Sequence, residues 1–277
     1  MKRSILFGIV CFREKYYESE TFKNLFYSFL NNNENEKLNI YVYDNTDIAD
    51  WHISDYKYES NINLNYLHNF QNPGISHAYN EIAYFAKKNG YEYIVFLDQD
   101  TELPINFYKE YKTYIQNSEV DIAIPIVKTG QIIFSPSKYS NFRSVNLKNL
   151  QQIYISSKDH TCINSGILIK TDFFFKVGGY DKRLRLDFCD HEFIRRVSKY
   201  KEQIKVIPII LNQMFSTEIN SLEKALFRYK FFLRDLSSFK KINNNDIRIF
   251  FFIDLLHLIR LTIQYNTLKF IKIRMFN

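Results

Sequence analysis

A short buried strand that ends in two acidic residues constrains this chain most strongly. Residues 93–97 are apolar or aromatic without a break, and Asp98 and Asp100 follow them closely. Such a run is typical of a strand covered on both faces in a parallel sheet, where ligands bind beyond the carboxyl end. Because residues two apart on an extended chain point the same way, the two carboxylates predict a Mg²⁺ or Mn²⁺ site that also binds phosphate oxygens. On spacing alone, a strand followed by an acidic turn explains the pattern equally well.

The first hundred residues alternate between strand and helix patterns. Strands are predicted over 4–12, 39–43, 63–67 and 93–98, with helices over 19–30 and 75–88. This order predicts an α/β fold with a mixed, mainly parallel sheet flanked by helices. Later strands are expected over 121–127, 163–169 and 204–211, and helices over 107–116, 171–177 and 190–200. Residues 128–160 are expected to be irregular and polar, apart from short strands around Ile132 and Ile153.

Composition and charge limit the class of partner. The chain has 277 residues and a net charge of +7, which predicts an anionic partner such as a nucleotide, a nucleic acid or an acidic membrane surface. Its Lys and Arg residues are dispersed except at the C-terminus, so we expect no nucleic-acid binding.

The cysteines and the first residues indicate the compartment. Cys11, Cys162 and Cys189 are far apart and odd in number, which predicts a reduced, cytoplasmic protein without a disulfide framework. The first apolar run is short and soon meets Arg13, so we interpret it as a strand and not as a signal peptide. No apolar run reaches the length of a transmembrane helix.

Residues 219–277 differ in character from residues 1–218 and predict a helical C-terminal extension. Helices are expected over 221–239 and 247–265, followed by a basic tail. On the second helix a polar stripe interrupts a wide apolar surface, which indicates an amphipathic helix. The stripe consists of Asp254, His257, Arg260 and Gln264. Attachment to the inner face of an anionic membrane, packing on the α/β domain, and packing on a second copy of the chain all fit this pattern.

Five motifs occur together in a fixed order. They are Asp44, the segment 72–80, Asp98-Gln99-Asp100-Thr101, the pair 164–166 and 177–181, and Asp190-His191-Glu192 with Arg196. In this combination, over about residues 4–215, the chain resembles the family 2 glycosyltransferases. The resemblance implies the GT-A fold and a nucleotide-sugar-binding and catalytic domain over 1–218. The Asp-Gln-Asp-Thr form and the segment 228–235 resemble the rhamnosyltransferase branch, which implies rhamnose as the transferred sugar.

The resemblance also implies a role for each matched residue. Asp98 and Asp100 would hold the metal, and Asp190 would be the catalytic base. The residues implied on the donor side are Phe12, Asp44, Asn72, Gly74 and Asp98, and those on the acceptor side are Gly179, Tyr180, Glu192 and Arg196. Two positions depart from the family pattern. Phe12-Arg13 stand where relatives carry Tyr or Thr and then Asn, and Asn212-Gln213 stand near a usual His, which favours Mg²⁺ over a transition metal.

The implied activity is inverting sugar transfer from a nucleoside-diphosphate sugar. The base takes the proton of an acceptor hydroxyl, and the metal neutralises the departing diphosphate. The implied acceptor is a glycan or a lipid-linked glycan of a bacterial surface polysaccharide, with a peripheral membrane contact and, as a further expectation, a homo-oligomer. In isolation, stabilisation by the helix dipole is the better explanation of an acid at a helix start such as Asp190, and the other motifs favour the base.

Two alternatives belong to other functional classes. One is a catalytically inactive, membrane-associated scaffold with the same fold, which the presence of Asp98, Asp100 and Asp190 disfavours. The other is a phosphotransferase of the haloacid-dehalogenase type, suggested by the two acids. It is disfavoured because Glu102 stands where that type has Thr or Val.

Overall fold

One mixed β-sheet organises the fold. A computed structural model of the chain describes residues 4–32, 36–47, 61–117, 119–213 and 221–276, and within these ranges the strands form a sheet of twelve. Its parallel part has the order β3-β2-β1-β4 and confirms the strand pattern predicted for the first hundred residues. These strands are β1 (Ile5–Cys11), β2 (Leu38–Asp44), β3 (Ile62–His68) and β4 (Tyr93–Asp98).

Helices cover both faces of this sheet. On one face α1 (Glu20–Leu30) and α3 (Phe107–Asn117) share a buried cluster, and on the other α2 (Ile75–Lys88) belongs to a second cluster. α1 begins at Ser19, whose hydroxyl accepts the backbone N–H of Phe22. The bounds of α2 agree with the predicted helix over 75–88.

The second half of the sheet is mostly antiparallel. Its strands are β5 (Thr101–Glu102), β6 (Ile122–Thr129), β7 (Ile132–Ser140), β8 (Arg143–Leu147), β9 (Tyr154–Ser156), β10 (His160–Thr161), β11 (Leu168–Lys170) and β12 (Gln203–Gln213). Within it β6 and β12 run parallel, so the mixed sheet is confirmed but is less parallel than predicted. The short strands predicted around Ile132 and Ile153 are present as β7 and β9, but the segment 128–160 is more regular than predicted because β7 is longer and β8 also forms there. β8 is exposed at four of its five positions, so it lacks the apolar alternation that marks a strand in a sequence.

The remaining helices follow the sheet and form the C-terminal extension. They are α4 (Thr171–Val177), α5 (Cys189–Val197), α6 (Leu222–Ile242), α7 (Ile247–Ile249), a π-helical turn (Phe250–Leu255), α8 (Leu256–Gln264) and α9 (Lys269–Phe276). The π-helical turn interrupts the single helix that was predicted over 247–265. α6 buries Tyr229, Phe232 and Leu236 in the same cluster as α2, so the extension packs on the α/β domain. The predicted boundary at residue 218 lies outside the described residues.

The predicted polar stripe of the extension faces inward at Asp254 and is half-buried at His257, whereas Arg260 and Gln264 are exposed. Asp254 is 1% exposed and accepts hydrogen bonds from Lys240 and Arg274, each at 2.6 Å. Apolar side chains on the opposite side face solvent, with Ile259 44% and Ile263 74% exposed. No helix in the described ranges is long and apolar enough to cross a membrane.

Candidate active site

Two acids lie at the carboxyl end of β4. Asp98 Oδ1 accepts a hydrogen bond from the Tyr79 hydroxyl at 2.5 Å. Burial raises the pKa of Asp98 to about 7; the bond from Tyr79 opposes that rise, while the charges of Asp100 and Asp190 add to it. Burial also raises the pKa of Asp100. Since charged carboxylates in low dielectric are costly without a cation, this pair favours a bound positive charge.

The acidic turn after β4 is fixed from two sides. Thr21 of α1 places its hydroxyl 2.6 Å from the carbonyl of Asp98 and accepts the Thr101 N–H at 2.9 Å. Ser165 accepts the Asp98 N–H at 3.2 Å, and its hydroxyl also pairs with that of Thr101. The Asn164-Ser165-Gly166 motif therefore supports the turn that aims the two acids. No pattern in the sequence indicated that Thr21 holds the same turn from α1.

Gln213 supplies a third oxygen donor beside the acids. It ends β12 opposite Thr101 of β5, and its Nε2 donates to Asp100 Oδ1 at 3.1 Å. Its Oε1 is buried and has no hydrogen-bond partner in the described part of the chain. Turning the amide over brings this orphaned oxygen toward the acids. Two carboxylates and one amide oxygen are hard donors that fit Mg²⁺ or Mn²⁺. No three His, Cys, Asp or Glu side chains of the described ranges form a fuller metal cluster.

Asp190 faces the same space from the first turn of α5. Its charge contributes to the raised pKa of Asp98, so the two side chains lie within electrostatic reach of each other. Its Oδ1 accepts the backbone N–H of His191 at 2.7 Å. Oδ2 has no hydrogen-bond partner in the described ranges and can accept a proton from an incoming hydroxyl.

The loop before Asp190 is held by α6. The carboxylate of Asp235 is fully buried, and its Oδ2 accepts the N–H groups of Leu186 at 2.7 Å and Asp187 at 2.9 Å. Arg228 donates to both carboxylate oxygens of Asp187, at 2.6 and 2.7 Å. The segment 228–235 stood out in the sequence, but its role in holding this loop was not predicted. A lone Asp amid the aromatic residues of α6 was the available signal.

The residues implied on the acceptor side lie inside the protein. Arg196 binds Glu192 through two nitrogens and also donates to the carbonyls of Gly179 and Val177. Tyr180 and Glu192 are each 2% exposed. Both side chains have internal partners in this conformation, so their predicted place on the acceptor side stays a prediction. The hydrogen bonds of Arg196 to Glu192 and Gly179 hold α5 against the loop that precedes it.

Gly179 and Tyr180 are tied to α2. Asn80 Nδ2 donates to the carbonyl of Tyr180 at 2.8 Å, and Asn80 Oδ1 accepts the Tyr180 N–H at 2.9 Å. Gly179 has φ of +63°, and a Cβ there would lie 2.6 Å from Asn80 Oδ1. A side chain at Gly179 is therefore excluded by both the backbone conformation and the space.

The donor-side segment 72–75 is docked on the loop before α5. Arg185 donates to the carbonyls of Asn72 and Pro73, and its own carbonyl accepts the N–H of Ile75 at 2.6 Å. Gly74 has φ of +102°, and a Cβ there would lie 2.4 Å from the Arg185 carbonyl oxygen. The implied donor segment and the loop before Asp190 are therefore one connected unit. The sequence offered no sign of the part that Arg185 plays.

Phe12 and Asp44 differ in exposure. Phe12 is 40% exposed, and its backbone N–H and carbonyl both pair with the side-chain amide of Gln99. Asp44 is fully buried, and its oxygens accept the Thr46 N–H at 2.9 Å and the Tyr66 hydroxyl at 2.8 Å. The Phe12 ring therefore lies at the surface near the acidic turn. A nucleotide contact from Asp44 stays a prediction, since its present partners are internal.

Comparison with known proteins defines the class. The model of glycosyl transferase family 2 matches residues 7–178, and the chain therefore belongs to this family. Membership of this family rules out the alternative of a phosphotransferase of the haloacid-dehalogenase type. One relative is the dTDP-rhamnosyl transferase RfbF of Shigella flexneri, which is 28% identical over 148 residues, covering 50% of this chain and 48% of that protein. The chain thus spans about half the length of that curated relative.

Solved structures share the fold at low sequence identity. GalNAc-T7 with UDP, GalNAc and Mn²⁺ is 14% identical, with a TM-score of 0.58, over 85% of this chain and 48% of that one. S. aureus TarS 1–349 in complex with UDP-GlcNAc is 14% identical, with a TM-score of 0.54, over 90% of this chain and 73% of that one. These similarities confirm the predicted α/β fold of the GT-A type.

Proposed function

We propose that the protein is a metal-dependent, inverting glycosyltransferase that uses a nucleoside-diphosphate sugar. One observation carries the proposal: the buried carboxylate of Asp98 at the end of β4 lies within electrostatic reach of both Asp100 and Asp190, whose charges raise its pKa. Such a cluster suits a cationic centre beside a base. Membership of glycosyl transferase family 2 supports the same chemistry.

Asp98, Asp100 and Gln213 are the residues that would hold the metal. When bound, a divalent cation neutralises the diphosphate and makes it a better leaving group. The raised pKa of Asp98 supports this assignment, because a cation favours the charged carboxylate that burial disfavours. The orphaned Oε1 of Gln213 supports it independently.

Asp190 acts as the general base. Its Oδ2 takes the proton of the acceptor hydroxyl while the acceptor oxygen bonds to the anomeric carbon. The bond from that carbon to the diphosphate oxygen breaks, and the electron pair leaves with the nucleoside diphosphate. Attack on the face opposite the leaving group inverts the anomeric centre. The bond from the His191 N–H to Oδ1 holds the carboxylate in place for this step.

The donor proposed is dTDP-rhamnose, and the product is part of a bacterial surface polysaccharide. The similarity to the dTDP-rhamnosyl transferase of Shigella flexneri supports the donor.

We also propose that the extension attaches the enzyme to the inner face of an anionic membrane. The outward apolar side chains of α8, Ile259 and Ile263, and the basic residues of α9 support this contact. A homo-oligomer would cover the same surface with a second copy. Sedimentation of the protein with and without anionic vesicles separates these two arrangements.

A thermal-shift screen of nucleotides and sugar nucleotides, with and without Mg²⁺ or Mn²⁺, tests the function. A ligand at a hundred times its Kd stabilises the fold by about 2.7 kcal/mol. We expect metal-dependent stabilisation by dTDP and dTDP-rhamnose, and its loss in Asp98→Ala. If the protein is well folded and no compound of the panel raises its melting temperature, the inactive scaffold would be favoured instead.

A further inference from the structure

Two buried tyrosines lie near Asp98 and have no role in the function proposed above. The ring of Tyr79 packs on Phe96 and on Tyr180, with centroid distances of 4.7 and 5.6 Å. Tyr79 is 0% exposed and Tyr180 is 2% exposed. A hydroxyl that is buried in this way is costly unless it has a hydrogen-bond partner. Each of the two hydroxyls has one, and both partners belong to the surroundings of Asp98.

The hydroxyl of Tyr79 fixes the carboxylate of Asp98. It donates to Asp98 Oδ1 at 2.5 Å, a length typical of a hydroxyl that is bonded to a charged carboxylate. Burial, together with the charge of Asp98, holds the pKa of Tyr79 well above its ordinary value, so the phenol keeps its proton and remains the donor. A carboxylate that is bound at one oxygen cannot turn freely. The position of its second oxygen, Oδ2, is therefore set as well.

The next residue of α2, Asn80, holds Tyr180. Its side-chain amide accepts the N–H of Tyr180 at 2.9 Å and donates to the carbonyl of Tyr180 at 2.8 Å. Tyr79 and Asn80 are neighbours in one helix. The contact with Asp98 and the contact with Tyr180 therefore cannot move independently of each other.

Tyr180 is connected to Asp98 by a second route. Its hydroxyl donates to Asn164 Oδ1 at 2.7 Å. The next residue, Ser165, accepts the backbone N–H of Asp98 at 3.2 Å. One route thus ends at the carboxylate of Asp98 and the other at its backbone, and the contacts form a closed ring. We call this ring the Asp98 network, and it consists of Tyr79, Asn80, Asp98, Asn164, Ser165 and Tyr180.

We propose that Tyr79 and Tyr180 are positioning residues that hold Asp98 for a divalent cation through the Asp98 network. The assignment rests on the proposed metal-dependent function and adds the residues that orient one of its ligands. The hydrogen-bond partners of a ligating carboxylate fix its direction, and their removal typically costs about 10- to 100-fold in metal affinity. The network also gives three separate motifs, at 72–80, 164–166 and 177–181, one shared purpose.

Titration of the full chain with Mn²⁺ in the presence of dTDP tests the assignment without sugar transfer. Electron paramagnetic resonance of the free ion measures the affinity. Tyr79→Phe removes only the hydroxyl that binds Asp98, so we expect a loss of Mn²⁺ affinity of about tenfold or more. Tyr180→Phe should weaken binding by a smaller factor, because it acts through Asn164. In the double variant the loss should be less than the product of the two single losses, since either change alone opens the ring.

Tyr229→Phe is the matched control. Tyr229 is 1% exposed, and its hydroxyl has no hydrogen-bond partner in the part of the chain that the structure describes. The control should bind Mn²⁺ as the parent does. Urea unfolding of each variant separates stability from cation binding. A lower urea midpoint in Tyr79→Phe with the Mn²⁺ affinity of the parent would mean a packing role only and would overturn the proposal.

Hydrogen exchange in the absence of metal provides a second, independent readout. Peptides that cover residues 97–101 should exchange faster in Tyr180→Phe than in the parent, although the hydroxyl that is removed bonds to Asn164 and not to that segment. Tyr229→Phe should leave their exchange unchanged. Unchanged exchange in Tyr180→Phe would overturn the second route of the network.

The outcomes also separate this assignment from the proposed function. Absence of Mn²⁺ binding by the parent would refute the metal-dependent function and, with it, the role of the two tyrosines. Binding by the parent with equal affinity in Tyr79→Phe would refute the role of the tyrosines alone.

Discussion

The buried carboxylate of Asp235 accepts the backbone N–H of Asp187 at 2.9 Å. The same oxygen accepts the N–H of Leu186, so α6 fixes the backbone that leads into α5 and Asp190. A helix of the C-terminal extension is therefore part of the support of the candidate active site. From the sequence alone, this helix was predicted to belong to an extension separate from the catalytic domain.

Replacing Asp235 should weaken both the fold and the reaction. Asp235→Leu leaves two N–H groups without an acceptor, at a cost of about 1–3 kcal/mol each. We expect a lower urea midpoint and a fall in kcat that exceeds the change in donor KM. Asp235→Asn keeps one oxygen for these bonds and should recover most of the activity. A full kcat in Asp235→Leu contradicts the positioning role.

Asp190→Asn should separate binding from chemistry. The variant keeps the shape of the side chain but loses the base, so transfer should fall by about 10²- to 10⁴-fold while donor binding persists. Radiolabelled sugar transfer and the thermal shift with dTDP measure the two properties. Asp172→Asn, an exposed acid of α4, is the control and should keep full transfer. Transfer by Asp190→Asn within about tenfold of the parent would contradict the assignment of Asp190 as the general base.

Changes at Gln213 should alter the response to metal. Gln213→Ala removes the orphaned oxygen and should weaken the metal-dependent stabilisation by dTDP. Gln213→His offers an imidazole, which suits Mn²⁺ better relative to Mg²⁺ than an amide oxygen does. Titration of both cations by thermal shift gives the preference of each variant. An unchanged Mn²⁺ to Mg²⁺ ratio in all three proteins would remove Gln213 from the metal site.

His257 should make stability depend on pH. Burial lowers its pKa from 6.5 to about 4, so between these values the unfolded state binds more protons than the folded state. Its contribution is complete above pH 6.5 and is lost as the pH falls toward 4. Urea unfolding at pH 7 and pH 5 should therefore show a greater loss in the parent than in His257→Gln. Equal losses would show that the pKa of His257 is the same in the folded and unfolded states.

The parallel half of the fold could be predicted because its signals are local. The buried run of β4 and the periodicity of α2 each lie within one short segment, and both elements have the predicted bounds or nearly so. β8 could not be predicted, since its exposed side chains show no apolar pattern. Periodicity also located the polar stripe of the extension but not its direction. Asp254 faces inward because Lys240 and Arg274 meet it there.

The acids of the candidate site could be found from the sequence, but their supports could not. Asp98 and Asp100 stand out because they end a buried strand. Gln213 and Asp100 are 113 positions apart, and so are Arg185 and Asn72. No local pattern connects residues at such a distance. The sheet brings the first pair together through the short β5–β12 ladder.

Asp235 and Arg228 attach α6 to the loop before α5, so these two segments need to be exchanged together when hybrids are made between related enzymes. A chimera that receives only residues 221–276 from another enzyme would have a foreign α6. The side chains of that helix would not match the loop before α5, which still comes from this chain. Carrying residues 181–197 along with the helices preserves both sides of that contact. Such hybrids are therefore best built by exchanging the two distant segments together, and not the C-terminal helices alone.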